Sequence, residues 1–270
     1  MELERLVLET SDARAEVLPS LGALVTRFAV GEREILYCDD ASLRTDKRRG
    51  GVPVLFPAPG RLKNDLFEAH GRYGKLPHHG FARDLPFRVA EKTAASVVLE
   101  LEGTDATLGR FPWDFLLRLR VELSATCLTY AIDVESRDEE PMPFAFGLHP
   151  YFSVRDKNAM RVTTPATRAF DNRTKRHVAV PSPIDFAHEE VDLHLVDHGA
   201  QALRFDTGAG AVTLRGSDEF RTWVLWTLPE RPFVCVEPWT SPGNALNTGT
   251  DLLELAPGAT RRLSLSIQTT

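Results

Sequence analysis

Residues 117–135 read LRLRVELSATCLTYAIDVE, and this stretch decides the fold class. Apolar residues occupy every second position from Leu117 to Leu123, and again from Leu128 to Val134. Successive side chains of a β-strand point to opposite faces of the sheet. Each run therefore predicts a strand with one face in a core and the other toward water or a polar cleft.

The rest of the chain repeats this pattern in shorter pieces. Residues 97–101, 212–214 and 263–267 read the same way, whereas 223–228 is apolar on both faces and predicts a covered central strand. Helical spacing is weak, and eighteen Gly and eighteen Pro divide the chain into short segments. The sequence therefore predicts an all-β fold, a many-stranded antiparallel β-sandwich or barrel, in a single domain over residues 1–270.

The bulk composition excludes several classes of protein. The 270 residues carry a formal net charge of −6, which lacks the basic footprint of a nucleic-acid binder. The chain shows no signal-peptide pattern, and no apolar run approaches the roughly 18 residues of a membrane span. Three cysteines, an odd number with no CxxC pair, argue against a disulfide framework. We expect a reduced, cytoplasmic protein without nucleic-acid or membrane partners, and we interpret the basic cluster Lys47, Arg48 and Arg49 as a solvated loop.

Three segments interrupt the alternation and are the places where function is expected. Residues 50–61, 76–84 and 237–249 are rich in Gly, Pro and polar residues set beside aromatic ones. Loops of this kind on a β scaffold often carry binding and catalytic residues. No phosphate loop, dinucleotide fingerprint or nucleophile elbow is present, and the segment around His149 holds no serine for a hydrolase triad.

His149 and Glu237 are the residues best suited to proton transfer. His149 precedes a proline among aromatic residues, which predicts a position at a strand end, and its ordinary pKa of about 6.5 suits an acid near neutral pH. Alternation places Glu237 on the same strand face as Phe233 and Cys235. A carboxyl group there is either paired with an arginine in a buried ion pair or serves as a general base.

The other histidines and arginines offer less specific patterns. His78 and His79 are adjacent, so an extended chain would turn at most one of them toward a given cleft. His188, His194 and His198 lack the short spacing of a helical zinc site, and we interpret them as surface residues. Arg61 follows a Gly/Pro loop, and its planar fork suits sugar hydroxyls or a carboxylate. The aromatic residues suited to stacking on a sugar ring are Phe81, Trp113, Tyr151 and Trp239.

Five motifs, in order, resemble the aldose 1-epimerase (galactose mutarotase) superfamily, and most closely its compact bacterial branch, which includes the LacX-like proteins. The resemblance spans nearly the whole chain. The residues that carry it are Gly51-Val52-Pro53-Val54-Leu55-Phe56-Pro57 running into Gly60-Arg61-Leu62, Leu76-Pro77-His78-His79-Gly80-Phe81-Ala82-Arg83-Asp84, Phe111-Pro112-Trp113-Asp114-Phe115, Gly147-Leu148-His149-Pro150-Tyr151-Phe152, and Glu237-Pro238-Trp239 ahead of Asn244.

The resemblance implies a large antiparallel β-sandwich that interconverts the α and β anomers of an aldohexose without a metal or an organic cofactor. By the same resemblance, His149 matches the general acid and Glu237 the general base. His79 matches a histidine near the sugar ring oxygen, and Arg61 matches a substrate-binding arginine. Asp192 is the candidate for an aspartate that binds sugar hydroxyls, although its surroundings depart from the family pattern.

Three alternatives remain open at this stage. Related proteins that act on hexose 6-phosphates share the His-Gly-Phe-Ala-Arg motif, and Arg83, with Lys63 or Arg72, would then meet a phosphate. Otherwise Arg83 pairs with a carboxylate such as Asp84. The second alternative is a carbohydrate-binding protein of the same fold without turnover. The third is a sandwich domain of a larger glycosidase or lyase. Exposed sheet edges permit either a monomer or a homodimer.

Overall fold

A computed structural model of the protein describes residues 3–45 and 47–270. The described chain is built almost entirely of β-strands. In chain order these are β1 Leu6–Glu9, β2 Ala13–Leu18, β3 Leu24–Val30, β4 Arg33–Glu34, β5 Val54–Leu55, β6 Leu66–Ala69, β7 Arg72–Lys75, β8 Arg88–Lys92, β9 Ser96–Glu102, β10 Phe115–Leu123, β11 Cys127–Ser136, β12 Met142–Phe144, β13 Gly147–Leu148, β14 Tyr151–Ser153, β15 Arg161–Thr163, β16 Arg168–Asp171, β17 Arg176–Ala179, β18 Val191–Leu195, β19 Ala202–Asp206, β20 Ala211–Gly216, β21 Thr222–Thr227, β22 Phe233–Trp239, β23 Leu253–Leu255 and β24 Thr260–Thr269.

Helices are short and lie in the connections. The two α-helices are α1 Asp105–Leu108 and α2 Ala245–Thr248, and single 3-10 turns occur at Pro19–Leu21, Asp40–Arg44, Lys63–Asp65 and Ala82–Asp84. In the described part of the chain, no helix has the length and apolar character needed to cross a membrane.

The first large sheet has eight strands in the order β15-β19-β20-β24-β11-β10-β9-β8. The alternating stretch at residues 117–135 forms its centre. There β10 and β11 pair antiparallel, from Phe115 opposite Ser136 to Leu123 opposite Leu128. The residues from Leu117 to Leu123 that alternate in the sequence also alternate between buried and more exposed positions. The predicted strands are therefore confirmed.

The second large sheet runs β17-β16-β18-β21-β22-β13-β5, with β14 also paired to β22. On β22, Val234 and Val236 face the main hydrophobic core, while Phe233, Cys235 and Trp239 belong to separate small clusters on the other face. Both β21 and β22 are buried along nearly their whole length, as the run of apolar residues predicts. One face of this sheet thus packs in the sandwich core and the other is left for a cleft.

Smaller sheets and aromatic residues close the sandwich. A four-stranded sheet, β1-β2-β3-β4, contributes Leu8, Ala15 and Val17 to the same core cluster as both large sheets. Phe81 and Trp113, expected to stack on a ligand, are fully buried in this core instead. Each packs against other aromatic rings (Phe81 on the rings of Phe56 and Phe115, Trp113 on those of Phe67 and Phe111), so burial in the core removes both from any ligand surface.

Candidate active site

A cleft of about 1030 Å³ opens over the free face of the second large sheet. All three predicted functional segments contribute to it, and strands β16, β18, β21 and β22 form its floor. The side chains that bear on its chemistry are Lys47, Arg48, Arg49, Arg61, Lys63, His78, His79, Arg83, His149, Tyr151, Asn172, Lys175, His177, Asp192, His194, Arg221, Trp226, Glu237, Trp239 and Asp251.

His149 lies between β13 and β14, at the strand end that its proline predicts. Its backbone N–H donates to the carbonyl oxygen of Pro53 at 3.0 Å, which ties the residue to the Gly/Pro segment at 50–57. The imidazole stacks on the Tyr151 ring, with ring centres 4.8 Å apart and planes 10° apart, and meets the edge of Trp226. These contacts hold the ring in one orientation and bury it almost completely.

Glu237 projects from β22 toward the cleft, on the face that strand alternation predicts. The Trp239 indole N–H donates to Glu237 Oε2 at 3.1 Å, so two residues on the same face of one strand are hydrogen-bonded to each other. Its side chain is only 2% exposed. Among the residues that the structure describes, no arginine forms an ion pair with Glu237. The alternative of a buried arginine–glutamate pair is therefore not supported.

The two groups meet directly, with His149 Nε2 3.3 Å from Glu237 Oε1. Burial is the largest cause of the pKa shift of each. It lowers the pKa of His149 to about 3, with a further contribution from the Arg83 cation. Burial and the nearby Asp192 carboxylate raise the pKa of Glu237 well above its ordinary value. Desolvation disfavours the charged form of both groups, so the low-energy form of the pair is a neutral carboxylic acid beside a neutral imidazole.

The histidine pair departs from the sequence prediction. His79 has a φ of 76°, a left-handed conformation, so the chain is not extended there. The rings of His78 and His79 stack with their centres 3.6 Å apart, and both line the cleft. His79 Nδ1 lies 2.7 Å from the carbonyl oxygen of Pro59 and must donate to it, which leaves Nε2 of the neutral ring as an acceptor. The expectation that only one of them faces the cleft is wrong.

A glycine fixes this histidine segment against the first motif. Gly80 has a φ of 71° and pairs with Phe56 in a parallel bridge. A Cβ at Gly80 would lie 2.1 Å from the Phe56 carbonyl oxygen, so no other residue fits. The same oxygen accepts from the backbone N–H of Phe81 at 3.0 Å. The two motifs, distant in sequence, are thereby joined beside His149.

Arg61 and Arg83 both line the cleft, as the histidine pair does. Removal from water is the first cause that lowers the pKa of His78, to about 4, and the cations Arg61 and Arg83 lower it further. Asp84, the internal partner weighed for Arg83, pairs with Arg48 instead. Within the described ranges no carboxylate lies within ion-pair distance of Arg83, so its charge remains available to a ligand.

Arg72, the other arginine considered for a phosphate, lies outside the cleft. Its guanidinium binds both oxygens of Asp138, at 3.0 and 2.9 Å, and covers the ring of Trp113. A bidentate pair of this kind occupies the arginine fork fully. Arg72 is therefore a structural residue, whereas Lys63 does line the cleft.

Asp192 reaches the cleft floor from β18. It accepts from the Asn172 side-chain amide at 2.7 Å, and its other oxygen lies 3.3 Å from His194 Nε2. Strand alternation puts Asp192 and His194 on the same face, so the interpretation of His194 as a surface residue is wrong. His198 is also buried and bonded to Thr164 and to the carbonyl of Ala202, whereas His188 is exposed as expected.

The basic cluster at 47–49 is not simply a solvated loop. Lys47, Arg48 and Arg49 all line the cleft, and the Arg49 guanidinium lies 5.4 Å from the centre of the Trp226 ring. Among the residues that the structure describes, eight lysine and arginine side chains and three carboxyl groups line the cleft, although the net charge of the chain is −6. The sequence offered no signal for this, because these cations come from separate segments that meet only in the fold.

Comparisons with known proteins agree with this geometry. The family model described as aldose 1-epimerase matches residues 4–268. The plasmid-encoded LacX protein of Lactococcus lactis is 26% identical over 250 residues, covering 80% of this chain and 82% of that protein. The Salmonella typhimurium protein named "Putative glucose-6-phosphate 1-epimerase" is 29% identical over 176 residues, covering 63% of this chain and 55% of that protein. The crystal structure of the Slr1438 protein from Synechocystis superposes with a TM-score of 0.97 at 32% identity, covering 100% of this chain and 96% of that one.

Proposed function

The chain belongs to the aldose 1-epimerase family, a family of isomerases, and we propose that it interconverts the α and β anomers of an aldohexose with His149 and Glu237 as the acid and base. The observation that carries this proposal is the 3.3 Å approach of His149 Nε2 to Glu237 Oε1 on the floor of the cleft. Two proton-transfer groups this close can each reach one of the two oxygens bonded to the same anomeric carbon.

The reaction requires two proton movements. The Glu237 carboxylate removes the proton from the O1 hydroxyl while the His149 imidazolium protonates the ring oxygen O5. The O1–H electrons form the C1=O1 bond, and the C1–O5 bond pair moves to O5. After rotation about C1–C2, the O5 hydroxyl attacks the other carbonyl face. His149 then takes back the O5 proton and Glu237 returns a proton to O1, so the catalyst is restored.

The opposite pKa shifts of the pair suit this cycle. The pair carries one proton in both states. His149 holds a proton when the ring is closed, and Glu237 holds the proton taken from O1 when the ring is open. Burial favours the arrangement with a neutral Glu237 and a neutral His149, which is the state of the pair beside the open-chain sugar. The site therefore stabilises the pair in the protonation state that accompanies the ring-opened intermediate.

Four further side chains are proposed to hold the sugar. His79 presents its free Nε2 beside His149, with ring centres 5.4 Å apart, and suits a hydroxyl near the ring oxygen. Asp192 is fixed by Asn172 and is placed to accept from sugar hydroxyls. Arg61 donates from the rim. Trp239 offers a ring face to the apolar side of the sugar, in addition to its bond to Glu237.

The test is anomer exchange by the wild-type protein. A freshly dissolved α-hexose should reach its equilibrium rotation faster with the protein than without it, and two-dimensional exchange NMR should show cross-peaks between the α and β anomeric protons. The assay should cover free hexoses and their 6-phosphates. Sugar binding without any acceleration, on every sugar tested, would contradict the proposal and favour a binding protein.

A second candidate substrate is favoured by the charge of the cleft. The excess of basic side chains, and the cations Arg61 and Arg83 that both act on His78, suit an anionic group on the sugar, such as the 6-phosphate. The Salmonella relative bears the name of an epimerase for such a sugar. We therefore infer that a hexose 6-phosphate is the second candidate for the preferred substrate, beside the free hexose.

Arg83→Gln separates the two substrates. Losing a hydrogen bond to a charged group costs about 1.5–3 kcal/mol, so the KM for a hexose 6-phosphate should rise roughly 10-fold to 100-fold, with a smaller change for the free hexose. Arg262→Gln is the matched control, because it removes one positive charge from an exposed side chain outside the cleft. Equal effects of Arg83→Gln on both sugars would contradict a phosphate contact at Arg83.

A further inference from the structure

One polar group beside the pair has no part in the mechanism above. Cys235 lies two residues before Glu237 on β22, on the same face, and is fully buried beneath Tyr151 and Phe233. A ligand atom from each of His149, Cys235 and Glu237 lies within 4.8 Å of the other two. His149 and Glu237 line the cleft and Cys235 does not, so the thiol is the member of this group that is not exposed to the cleft.

An imidazole, a thiolate and a carboxylate are the ligands that Zn²⁺ takes in proteins. Bonds of about 2.0–2.3 Å in a tetrahedral site place neighbouring ligand atoms on the order of 3.5 Å apart. The distance of 3.3 Å between His149 Nε2 and Glu237 Oε1 already meets this spacing. The ligand atoms of all three residues lie within 4.8 Å of one another, so closing the site on the thiol requires a shift of about 1 Å.

We propose that His149, Cys235 and Glu237 form a site for a thiophilic divalent metal ion such as Zn²⁺ or Cd²⁺, and that the bound ion switches the enzyme off. The ion replaces the thiol proton and the proton shared by the pair, and both protons leave to solvent. A fourth position faces the cleft and takes water. Inhibition follows because the ion occupies both proton-transfer groups, and this half of the proposal rests on the function proposed above.

The first test measures inhibition of anomer exchange by ZnCl₂ and its reversal by a chelator. Cys235→Ala should keep exchange within about threefold of wild type, because the thiol touches no substrate, and should raise the inhibition constant at least 10-fold, since a ligand is lost. Cys127→Ala is the matched control and should leave inhibition unchanged. An unchanged inhibition constant in Cys235→Ala would overturn the proposal. If Cys235→Ala does not fold, Cys235→Ser keeps the shape with a much poorer ligand for Cd²⁺.

The second test reads the metal directly and does not depend on activity. In a protein carrying Cys38→Ala and Cys127→Ala, added Cd²⁺ should produce a thiolate-to-metal charge-transfer band in the ultraviolet, and Cys235→Ser should abolish it. A band from a protein that shows no anomer exchange before Cd²⁺ is added would leave the metal site standing and contradict the proposed function. Anomer exchange without a band would refute the metal site alone.

Discussion

At the floor of the cleft, a buried carboxyl group and a buried imidazole share one proton. Neither can be charged cheaply without the other, because Glu237 and His149 are both withdrawn from water and lie 3.3 Å apart. Their titration therefore belongs to the pair. In the proposed mechanism the active form of the pair holds one proton: a second proton removes the base, and loss of the first removes the acid.

The pH dependence of the rate follows from these shifts. Burial lowers the pKa of His149 to about 3 and raises that of Glu237, so as pH falls the second proton binds His149 only near that lowered value. We expect kcat/KM to persist well below the ordinary histidine pKa of about 6.5, and to fall toward pH 3. Circular dichroism at each pH checks that the fold is intact. A loss centred near 6.5 in the folded enzyme would contradict this reading.

Trp239 donates its indole N–H to Oε2 of Glu237, the proposed base. Trp239→Phe keeps an aromatic ring and removes the donor, which raises the pKa of Glu237 further and makes its ionised form scarcer. Loss of a hydrogen bond to a charged group predicts a roughly 10-fold to 100-fold drop in kcat. Polarimetry measures the rate. Trp223→Phe is the control for the loss of an indole, because Trp223 lies in the core and does not line the cleft. An unchanged kcat in Trp239→Phe would show that the bond does no catalytic work.

The sequence predicted single residues well where one strand decides their direction. Alternation along Phe233, Cys235 and Glu237 was enough to turn Glu237 away from the core. It failed at His78 and His79, since the left-handed backbone of His79 is not visible in a period-two pattern. The partner of Arg83 is not predictable from the sequence. Whether Asp84 is available to Arg83 depends on an ion pair between Asp84 and the distant Arg48.

At the level of the element, strand register aligns side chains on the floor of the cleft. Val224 of β21 lies opposite both Glu237 of β22 and His194 of β18, which puts Glu237 and His194 in one row across the sheet. A shift of one residue in β22 relative to β21 would turn Glu237 into the core, and the same shift in β18 relative to β21 would turn His194 into it. The register therefore matters as much as the identity of the residues.

Gly147 of β13 is a place where this arrangement is tight. A Cβ there would lie 2.7 Å from Trp239 Cδ1 and 2.8 Å from Pro59 Cβ. We expect Gly147→Ala to cost about 1–3 kcal/mol of unfolding free energy and to reduce kcat by displacing Trp239. Gly109→Ala is the control, because its nearest atom would be 3.5 Å away in a helical backbone, and it should be neutral or slightly stabilising. Urea denaturation measures both, and equal midpoints would contradict the close approach.

For the whole molecule, the sign of the charge around the cleft is opposite to that of the net charge. The chain is acidic overall, with a net charge of −6, while the described residues that line the cleft include eight basic side chains and three carboxyl groups. Such a cleft focuses a positive potential and raises the local concentration of an anionic substrate.

Salt provides a direct test of this field. Raising ionic strength from about 0.01 M to about 0.15 M shortens the Debye length from about 30 Å to about 8 Å. We expect kcat/KM for a hexose 6-phosphate to fall several-fold over this range, while kcat/KM for the free hexose stays constant. Parallel salt responses of the two sugars would contradict electrostatic attraction of the phosphate.

The fold itself was predictable from the sequence to a greater depth than the cleft. Period-two alternation in β10 and β11 and continuous apolar runs in β21 and β22 specify half-buried and fully buried strands, and these features are local. The cleft depends on segments near positions 48, 61, 83, 149, 192 and 237 meeting on one sheet face. Only the resemblance to a family, and not any local pattern, could bring those segments together in advance.

The most direct measurement of the central claim is anomer exchange by Glu237→Gln and His149→Asn, followed by two-dimensional exchange NMR on the sugar that the wild type turns over fastest. The matched controls are Glu189→Gln and His188→Asn, which change the same residue types outside the cleft. If the pair transfers both protons, each active-site variant should lose about 10²-fold to 10⁴-fold in rate with its fold intact, while the controls match wild type. A near-wild-type rate in either folded active-site variant would contradict the account.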